Sequence, residues 1–158
     1  MKEILLRKAK LIDFDVYRNL YDDYDAQFLY SGPDSDDDVD NYEETLYNLR
    51  ISEDILDKVD VEEDYKKYHK GIYFICVDQV IIGYIRTEKK GKGIIIRDMT
   101  IKDYSIKNER PLCRLFNVLF KATKAENIII FYCNPVNRKI LQRIGFTFQG
   151  HLEKIAGI

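Results

Sequence analysis

Residues 128–146 read IIIFYCNPVNRKILQRIGF, and this stretch decides the fold. Its apolar first part, 128–133, predicts a buried strand, and the Asn-Pro pair that follows predicts the turn that ends it. Residues 137–144 then predict a short basic helix that ends at Gly145, because glycine commonly follows a helix C-terminus. A last strand is predicted at Phe146–Phe148. Strand, helix and strand in this order indicate a sheet covered by helices.

The segments before this stretch predict three strands and a helix. The apolar residues first recur with a period of two and then with the spacing of a helix. Pro111 suits the first position of that helix, because its missing N–H would have no partner there. The helix stripe is formed by Leu112, Leu115, Phe116, Leu119 and Phe120. The strands are predicted at 72–77, 80–86 and 94–101, with a tight turn at Asp78-Gln79 and a longer turn at 88–93.

The first 70 residues predict one strand and several helical pieces. The strand is expected over 4–11, and Asp13 or Asp15 is expected to cap a helix that runs to about Tyr24. Residues 31–40 carry the turn signals of a loop. A second helix is expected at 40–49, the piece at 52–58 could be helix or loop, and 62–70 is expected to add another turn of helix.

Length and composition fit one domain with its own core, since the chain has 158 residues and 46% apolar content. No apolar run is long enough to cross a membrane, and the N-terminus lacks a secretory signal, so we expect a cytoplasmic protein. Cys76, Cys113 and Cys133 lie in apolar segments and are expected to be free thiols. Without a CxxC motif, and with His69 and His151 isolated, we expect no metal site.

The net charge of −2 hides a strong asymmetry along the chain. Residues 13–65 hold 19 acidic and three basic residues, a balance of −16, and the other residues hold eight acidic and 22 basic residues, a balance of +14. Two ligands of opposite charge would explain this split, and so would two solvated faces without ligands. The basic residues alternate with predicted strands, which argues against a nucleic-acid-binding tail.

The order of elements and three local motifs resemble the GNAT acyltransferase superfamily. Asn134, followed by Gly145-Phe146, is similar to the family pattern N…hhGF, and IRDMTI at 96–101 resembles h-x-D/E-L-x-V. The tail at 145–154, GFTFQGHLEK, resembles the GFxxEGxLRK ending of the ribosomal-protein alanine acetyltransferase branch.

This resemblance implies one GNAT-like domain over residues 1–158. Its fold would be α+β, with a mixed, mostly antiparallel sheet of about six to seven strands covered by helices on both faces. Residues 13–70 would form an acidic region beside the acceptor amine. Residues 71–158 would form the core that binds acyl-coenzyme A.

The resemblance also implies a place for acetyl-coenzyme A. In the family the pantetheine arm lies between two splayed strands, which here implies pairing with the backbone of Met99, Thr100 and Ile101. The pyrophosphate rests at the N-terminus of the following helix, where unpaired N–H groups and the helix dipole favour an anion. The family signature there is Q/R-x-x-G-x-G/A. The corresponding loop in this chain is Lys107-Asn108-Glu109-Arg110-Pro111-Leu112.

The phosphate loop departs from the family pattern. Lys107 takes the Q/R position, but Arg110 and Leu112 take the two glycine positions, where bare backbone normally approaches phosphate. Either Lys107, Arg110 and Arg114 replace backbone contacts with charge, or the loop no longer holds coenzyme A.

The implied catalytic residues lie on the strand before the loop and on the Asn-Pro turn. Asp98 occupies the position of an acid that helps to deprotonate the amine, and its alternative role is an ion pair within the sheet. Asn134 and Asn137 would hydrogen-bond the pantetheine arm or orient a water, or else serve only the turn and the helix cap. The usual proton-donating tyrosine is replaced by Leu141. Water, or another side chain such as Tyr132 or Tyr104, would then protonate the thiolate.

We therefore expect an N-acetyltransferase that moves an acetyl group from acetyl-coenzyme A to a primary amine of a cationic acceptor. The acceptor could be a small amine, an antibiotic or a protein amine, and the protein a monomer or a homodimer. No nucleic acid, membrane or metal partner is expected. The alternative is a GNAT-like binding or interaction domain without catalytic activity.

Overall fold

A computed structural model of the chain describes residues 3–30, 58–102, 106–131 and 133–157. These residues form eight strands and four helices. The strands are β1 (Ile4–Lys8), β2 (Gln27–Tyr30), β3 (Ile72–Val77), β4 (Val80–Lys90), β5 (Gly93–Ile101), β6 (Asn127–Ile130), β7 (Thr147–Phe148) and β8 (Leu152–Ile155). The helices are α1 (Phe14–Tyr21), α2 (Lys58–Tyr68), α3 (Glu109–Thr123) and α4 (Pro135–Arg143).

The strands form one mixed sheet in the order β1-β3-β4-β5-β6-β8-β7. All neighbouring strands in it are antiparallel except β5 and β6, which are parallel. The short strand β2 lies off this path and pairs antiparallel with β5. The α+β fold expected from the sequence is therefore confirmed, with two short strands, β2 and β8, that the sequence patterns did not reveal.

The central hairpin follows the sequence closely. Asp78 and Gln79 both have positive φ, 50° and 71°, which is the backbone of a tight hairpin turn. The second hairpin is longer than predicted, because Glu88 and Lys89 still pair with β5 and only Gly91 and Lys92 form the turn. The charged residues at 88–90 resemble a loop in sequence, but they form the solvent-exposed end of a strand.

Each face of the sheet buries one apolar cluster, because successive strand residues point to opposite faces. On one face an aromatic cluster packs beneath α1 and α2, with the Tyr17 ring 4.8 Å from that of Tyr84 and 4.9 Å from that of Tyr65. On the other face α3 and α4 cover the larger core, to which Leu115, Phe116 and other residues of the predicted stripe contribute. Helices on both faces are therefore confirmed.

Helix boundaries differ from the predicted ones at several points. Helix α3 begins at Glu109, so Pro111 is the third helical residue and not the first. The predicted position of Pro111 was wrong, but the reason for it holds. Every N–H in the first turn lacks an acceptor within the helix, so a proline there removes no hydrogen bond. Asp13 precedes α1, but its carboxylate turns back and accepts from the Lys10 N–H at 2.9 Å instead of capping the helix.

Helix α2, Lys58–Tyr68, covers most of the helical turn predicted at 62–70 and begins four residues earlier. The predicted pieces at 40–49 and most of 52–58, and the acidic loop at 31–40, lie outside the described residues. No described helix is long and apolar enough to cross a membrane.

Candidate active site

The parallel strands β5 and β6 separate soon after they meet. Ile94 and Ile95 pair with Ile128 and Ile129, and no further pairs join these two strands. Strand β5 continues to Ile101, whereas β6 ends at Ile130. The edge of β5 beyond Ile95 therefore faces a gap between the two strands, which is where the family resemblance implied the pantetheine arm.

Strand β2 occupies this gap. Gln27 pairs with Thr100 and Leu29 pairs with Met99, with an irregularity in register between them. Because β4 already pairs with the opposite edge of β5, β2 must use the edge that faces β6. Phe28 and Leu29 are each only 1% exposed and join the larger core. Met99 and Thr100, two of the three backbone positions expected to bind the cofactor arm, are thus paired with the chain's own residues.

Helix α4 holds β2 in place through the Asn-Pro turn. Asn134 is the N-cap residue of α4, and its side-chain oxygen accepts from the Asn137 N–H at 2.8 Å. The Asn137 side chain donates to the backbone oxygen of Phe28 at 3.0 Å. The structure therefore gives Asn134 a capping role and gives Asn137 a partner in β2. Both assignments to a cofactor stay predictions.

The predicted phosphate loop leads into the first turn of α3. The first hydrogen bond in the helix runs from the Leu112 N–H to the Asn108 oxygen. The N–H groups of Glu109 and Arg110 lie before this bond and have no acceptor within the helix, and Pro111 has no N–H group. Leu112 is fully buried in the core, so its side chain points away from solvent. The exposed residue Arg110 presents the only basic side chain of this turn. The arrangement can receive an anion, although with fewer backbone donors than a glycine-rich loop.

Two further contacts set the charge around this turn. The Glu109 carboxylate lies 3.4 Å from Nη1 of Arg143 on α4, so the negative side chain at the helix N-terminus is held by a cation. Lys107 is half-buried. Burial lowers the pKa of its ammonium group, and the nearby carboxylate of Asp23 opposes this effect. Desolvation disfavours the charged form, so an anion bound nearby would stabilise the ammonium ion.

Asp98 is buried in an ion pair within the sheet. Its carboxylate accepts from the Tyr84 hydroxyl at 3.1 Å and lies 3.5 Å from Nε of Arg86 on the neighbouring strand. Burial alone would lower the pKa of Arg86, but attraction to Asp98, to the tyrosines Tyr17 and Tyr84 and to Asp64 together raises it. The structure thus brings Asp98 together with Arg86 and Tyr84, two partners that the sequence analysis did not name. A cross-strand pair of charges gives no signal in sequence until the strand register is known.

Leu141, at the usual tyrosine position, and Cys133, which directly precedes Asn134, are both poor proton donors. Leu141, in place of the usual tyrosine, is fully buried in the core. Burial raises the pKa of the Cys133 thiol to about 12, partly offset by the nearby Arg138. The alternative proton donors Tyr104 and Tyr132 lie outside the described residues. No described side chain at these positions offers a ready proton for a leaving thiolate.

Comparison with solved structures supports the arrangement of strands and helices. The PaiA N-acetyltransferase of Thermoplasma acidophilum, in complex with coenzyme A, is 16% identical and has a TM-score of 0.53 over 97% of this chain and 99% of its own. A GNAT acetyltransferase from Streptococcus agalactiae is 12% identical, with a TM-score of 0.61 over 98% and 96%. The chain has the GNAT fold.

A third structure with this fold is AAC(6')-Ib in complex with ribostamycin and coenzyme A. It is 14% identical, with a TM-score of 0.62 over 98% of this chain and 94% of its own. No protein-family model and no curated protein matches the sequence. At these identities the structural likeness establishes the GNAT fold and leaves the activity to be argued from the site.

Proposed function

We propose that the chain is an acetyl-coenzyme A-dependent N-acetyltransferase. The observation that carries this proposal is the separation of β5 from β6 after two paired residues, within a GNAT fold that spans nearly the whole chain. A separated parallel pair leaves backbone N–H and C=O groups of β5 for an extended ligand, much as a neighbouring strand would use them. The amide groups of a pantetheine arm are such a ligand.

Five of the predicted residues have a defined part in binding the cofactor. The backbone of Met99, Thr100 and Ile101 pairs with the arm, and Lys107 and Arg110 bind its phosphates beside the first turn of α3. The acceptor amine attacks the thioester carbon directly, the carbon–sulfur bond breaks, and the thiolate takes a proton from water because Leu141 has none to give.

Asp98 has an indirect part in this reaction. Its ion pair with Arg86 and its hydrogen bond from Tyr84 fix the carboxylate inside the sheet. A base that accepts the amine proton must reach it directly or through one water. We therefore assign to Asp98 a water-mediated part in deprotonation, with Arg86 holding it in place.

We propose a cationic acceptor because of the acidic balance of residues 13–65. Part of this charge is already neutralised by bases from outside the region, since Asp13 lies 3.2 Å from Arg7 and Asp23 lies 3.7 Å from Lys102. The remaining surplus would attract an amine that carries several positive charges. A neighbour with this fold was solved with ribostamycin and coenzyme A, which supports an amine-rich acceptor.

The proposal requires β2 to leave the gap when the cofactor binds. Both would use the same edge of β5, so only one of them can pair with Met99 and Thr100 at a time. This competition also favours a second candidate function, a GNAT-like domain that binds partners without catalysis. In that case β2 would fill the gap permanently, and the buried Leu141 in place of the usual tyrosine would reflect the loss of catalysis.

Thermal melting with acetyl-coenzyme A separates the two candidates. A ligand that binds only the folded state raises its stability, by about 2.7 kcal/mol at a concentration of 100 Kd. We expect an upward shift in melting temperature at millimolar cofactor, and release of free thiol when polyamines, ribostamycin or lysine-rich peptides are added. A shift without thiol release across these amines would support the binding domain, and no shift at all would count against the transferase.

Substitutions of Arg110 test whether α3 holds the phosphates. Arg110→Glu places a negative charge where we expect a diphosphate, so it should abolish the shift. Arg110→Gly restores the residue type of the family loop and should preserve or strengthen it. Lys121→Glu, an equal change of charge at an exposed position near the other end of α3, is the matched control. If Arg110→Glu behaves like Lys121→Glu, the phosphates bind elsewhere.

A further inference from the structure

The described part of the chain contains a cavity that none of the predicted site residues lines. Its volume is about 830 Å³, within the usual range for small-molecule sites. It lies where α3 ends and β5 begins, whereas the candidate active site lies where α3 begins and β5 ends. Helix α3 has 15 residues, so its two ends are separated by about 20 Å. The cavity is therefore a separate site.

Basic side chains dominate the cavity wall. Seven lysine or arginine residues and two acidic residues line it. Arg86 is held by Asp98, and Arg97 is held by Glu88, one of the two acidic residues. The other five basic residues define what we call the lysine pocket: Lys8, Lys67, Lys70, Lys89 and Lys124. Within the described ranges, none of these five lysines forms an ion pair.

The five lysines reach the lysine pocket from four separate parts of the chain. Lys8 ends β1, Lys89 lies near the end of β4, Lys124 follows α3, and the other two lie at and after the end of α2. A helix C-terminus attracts cations, which accounts for Lys67 and Lys124. It does not account for Lys8, Lys70 or Lys89. Like charges gathered in one cavity repel each other, and a bound anion would relieve that repulsion.

An aromatic ring stands beside the lysines. Tyr68 is 49% exposed and lines the same cavity. The Lys67 ammonium lies 5.2 Å from the centre of its ring. An exposed tyrosine face next to several ammonium groups can stack against a flat base while the lysines bind phosphates. The hydroxyl groups of Thr87 and Thr123, which also line the cavity, already donate to backbone oxygens. Recognition must therefore rest on charge and stacking.

We propose that the lysine pocket binds an oligophosphate, and specifically a nucleotide that carries several phosphates. Lys70 and Lys89 would bind the phosphates from opposite segments, and Tyr68 would stack on the base. Apart from Arg86, which lines the cavity and pairs with Asp98, this site differs from the proposed acetyltransferase site in residues and position, so either proposal can fail without the other.

Calorimetric titration of the full chain with ATP and with tripolyphosphate tests the proposal. We expect saturable binding of both, weakening as salt is added because exposed charges are screened. Tyr68→Ala should weaken ATP binding by about tenfold, the loss of one stacking contact, and leave tripolyphosphate unchanged. Equal loss for both ligands would overturn the stacking role, and no saturable binding of either would overturn the site.

Charge reversal tests the lysines themselves. Lys70→Glu combined with Lys89→Glu should weaken both ligands at least about tenfold, because each change replaces attraction by repulsion. Lys121→Glu combined with Lys139→Glu makes the same net change at exposed residues outside the cavity wall and should have little effect. Equal losses in the two double variants would overturn the proposal, as would equally strong binding of an acidic peptide.

Two measurements keep this test independent of folding and of acyl transfer. If the double glutamate variant melts early, Lys70→Gln with Lys89→Gln removes the attraction without adding negative charge, and tripolyphosphate binding should still fall. Coenzyme A also carries phosphates, so its binding is measured in the same variants. Loss of acetyl-coenzyme A binding only with Arg110→Glu, and of ATP binding only with the pocket variants, would establish two sites. Loss of both ligands with the pocket variants would overturn the assignment of a separate nucleotide site.

Discussion

Leu29→Ala should weaken the fold and at the same time strengthen the binding of acetyl-coenzyme A. Leu29 pairs with Met99 in the gap between β5 and β6, and its side chain is 1% exposed. Truncation of a buried leucine costs about 2–5 kcal/mol in the state where the side chain is packed. That cost falls on the docked form of β2 and hardly at all on a form in which β2 has left.

The size of the gain in affinity follows from the same competition. If the cofactor binds only when β2 is displaced, its apparent dissociation constant is the intrinsic one divided by the fraction of molecules with β2 displaced. Destabilising the docked form by about 2 kcal/mol raises that fraction about 30-fold, for as long as the docked form predominates. We therefore expect acetyl-coenzyme A to bind at least about tenfold more tightly to Leu29→Ala than to the wild type.

Calorimetric titration with acetyl-coenzyme A and thermal melting without it provide the two readouts. Leu119→Ala is the matched control, because Leu119 is also a fully buried leucine of the larger core but belongs to α3 and not to β2. Both variants should melt earlier than the wild type, and only Leu29→Ala should bind the cofactor more tightly. Our reasoning is refuted if Leu29→Ala melts earlier without any gain in affinity, or if the control gains as much.

Three further results are expected from the same set of contacts. Asp98→Ala leaves Arg86 without its buried partner and should lower the free energy of unfolding by about 3–5 kcal/mol in denaturant titrations, far more than a surface ion pair would. Asn134→Ala removes the N-cap of α4 and should cost about 1 kcal/mol in the same assay, and a neutral result would contradict the capping role. Burial raises the pKa of Cys133 to about 12, so the folded chain keeps the thiol protonated at a pH where the unfolded chain ionises it. The free energy of unfolding should therefore fall as the pH rises from about 9 towards 12. Iodoacetamide at pH 9 should therefore label Cys133 far more slowly in the folded chain than in urea, as followed by mass spectrometry.

The sequence predicted the sheet and its helices well where local patterns were strong. The tight turn at Asp78-Gln79 and strand β3 were placed correctly, because alternating apolar residues on either side of a turn describe a hairpin without reference to the rest of the fold. The boundaries of α3 and β4 were less accurate. Charged residues such as Glu88 and Lys89 resemble a loop in sequence even where they extend a strand into solvent.

The occupant of the gap could not be predicted in the same way. Phe28 of β2 is buried in the larger core. What the sequence did not indicate is that the short strand β2 would pair with β5. Four residues without clear alternation carry little strand signal. Their pairing depends on an edge of β5, which begins more than 60 residues later along the chain and which β6 leaves free. Tertiary context, and not local preference, forms this strand.

The charge asymmetry illustrates the same limit at the level of ligands. The surplus of basic residues suggested an anion, and the family resemblance placed that anion at the start of α3. The structure gathers five lysines near the other end of α3, from parts of the chain that no linear pattern connects. Arg110 near one end and the lysine pocket near the other are therefore two possible sites for phosphate on one helix. A phosphate-bearing ligand that shifts the melting temperature is consistent with either site, so only variants at each end can assign the shift to acyl transfer or to a nucleotide.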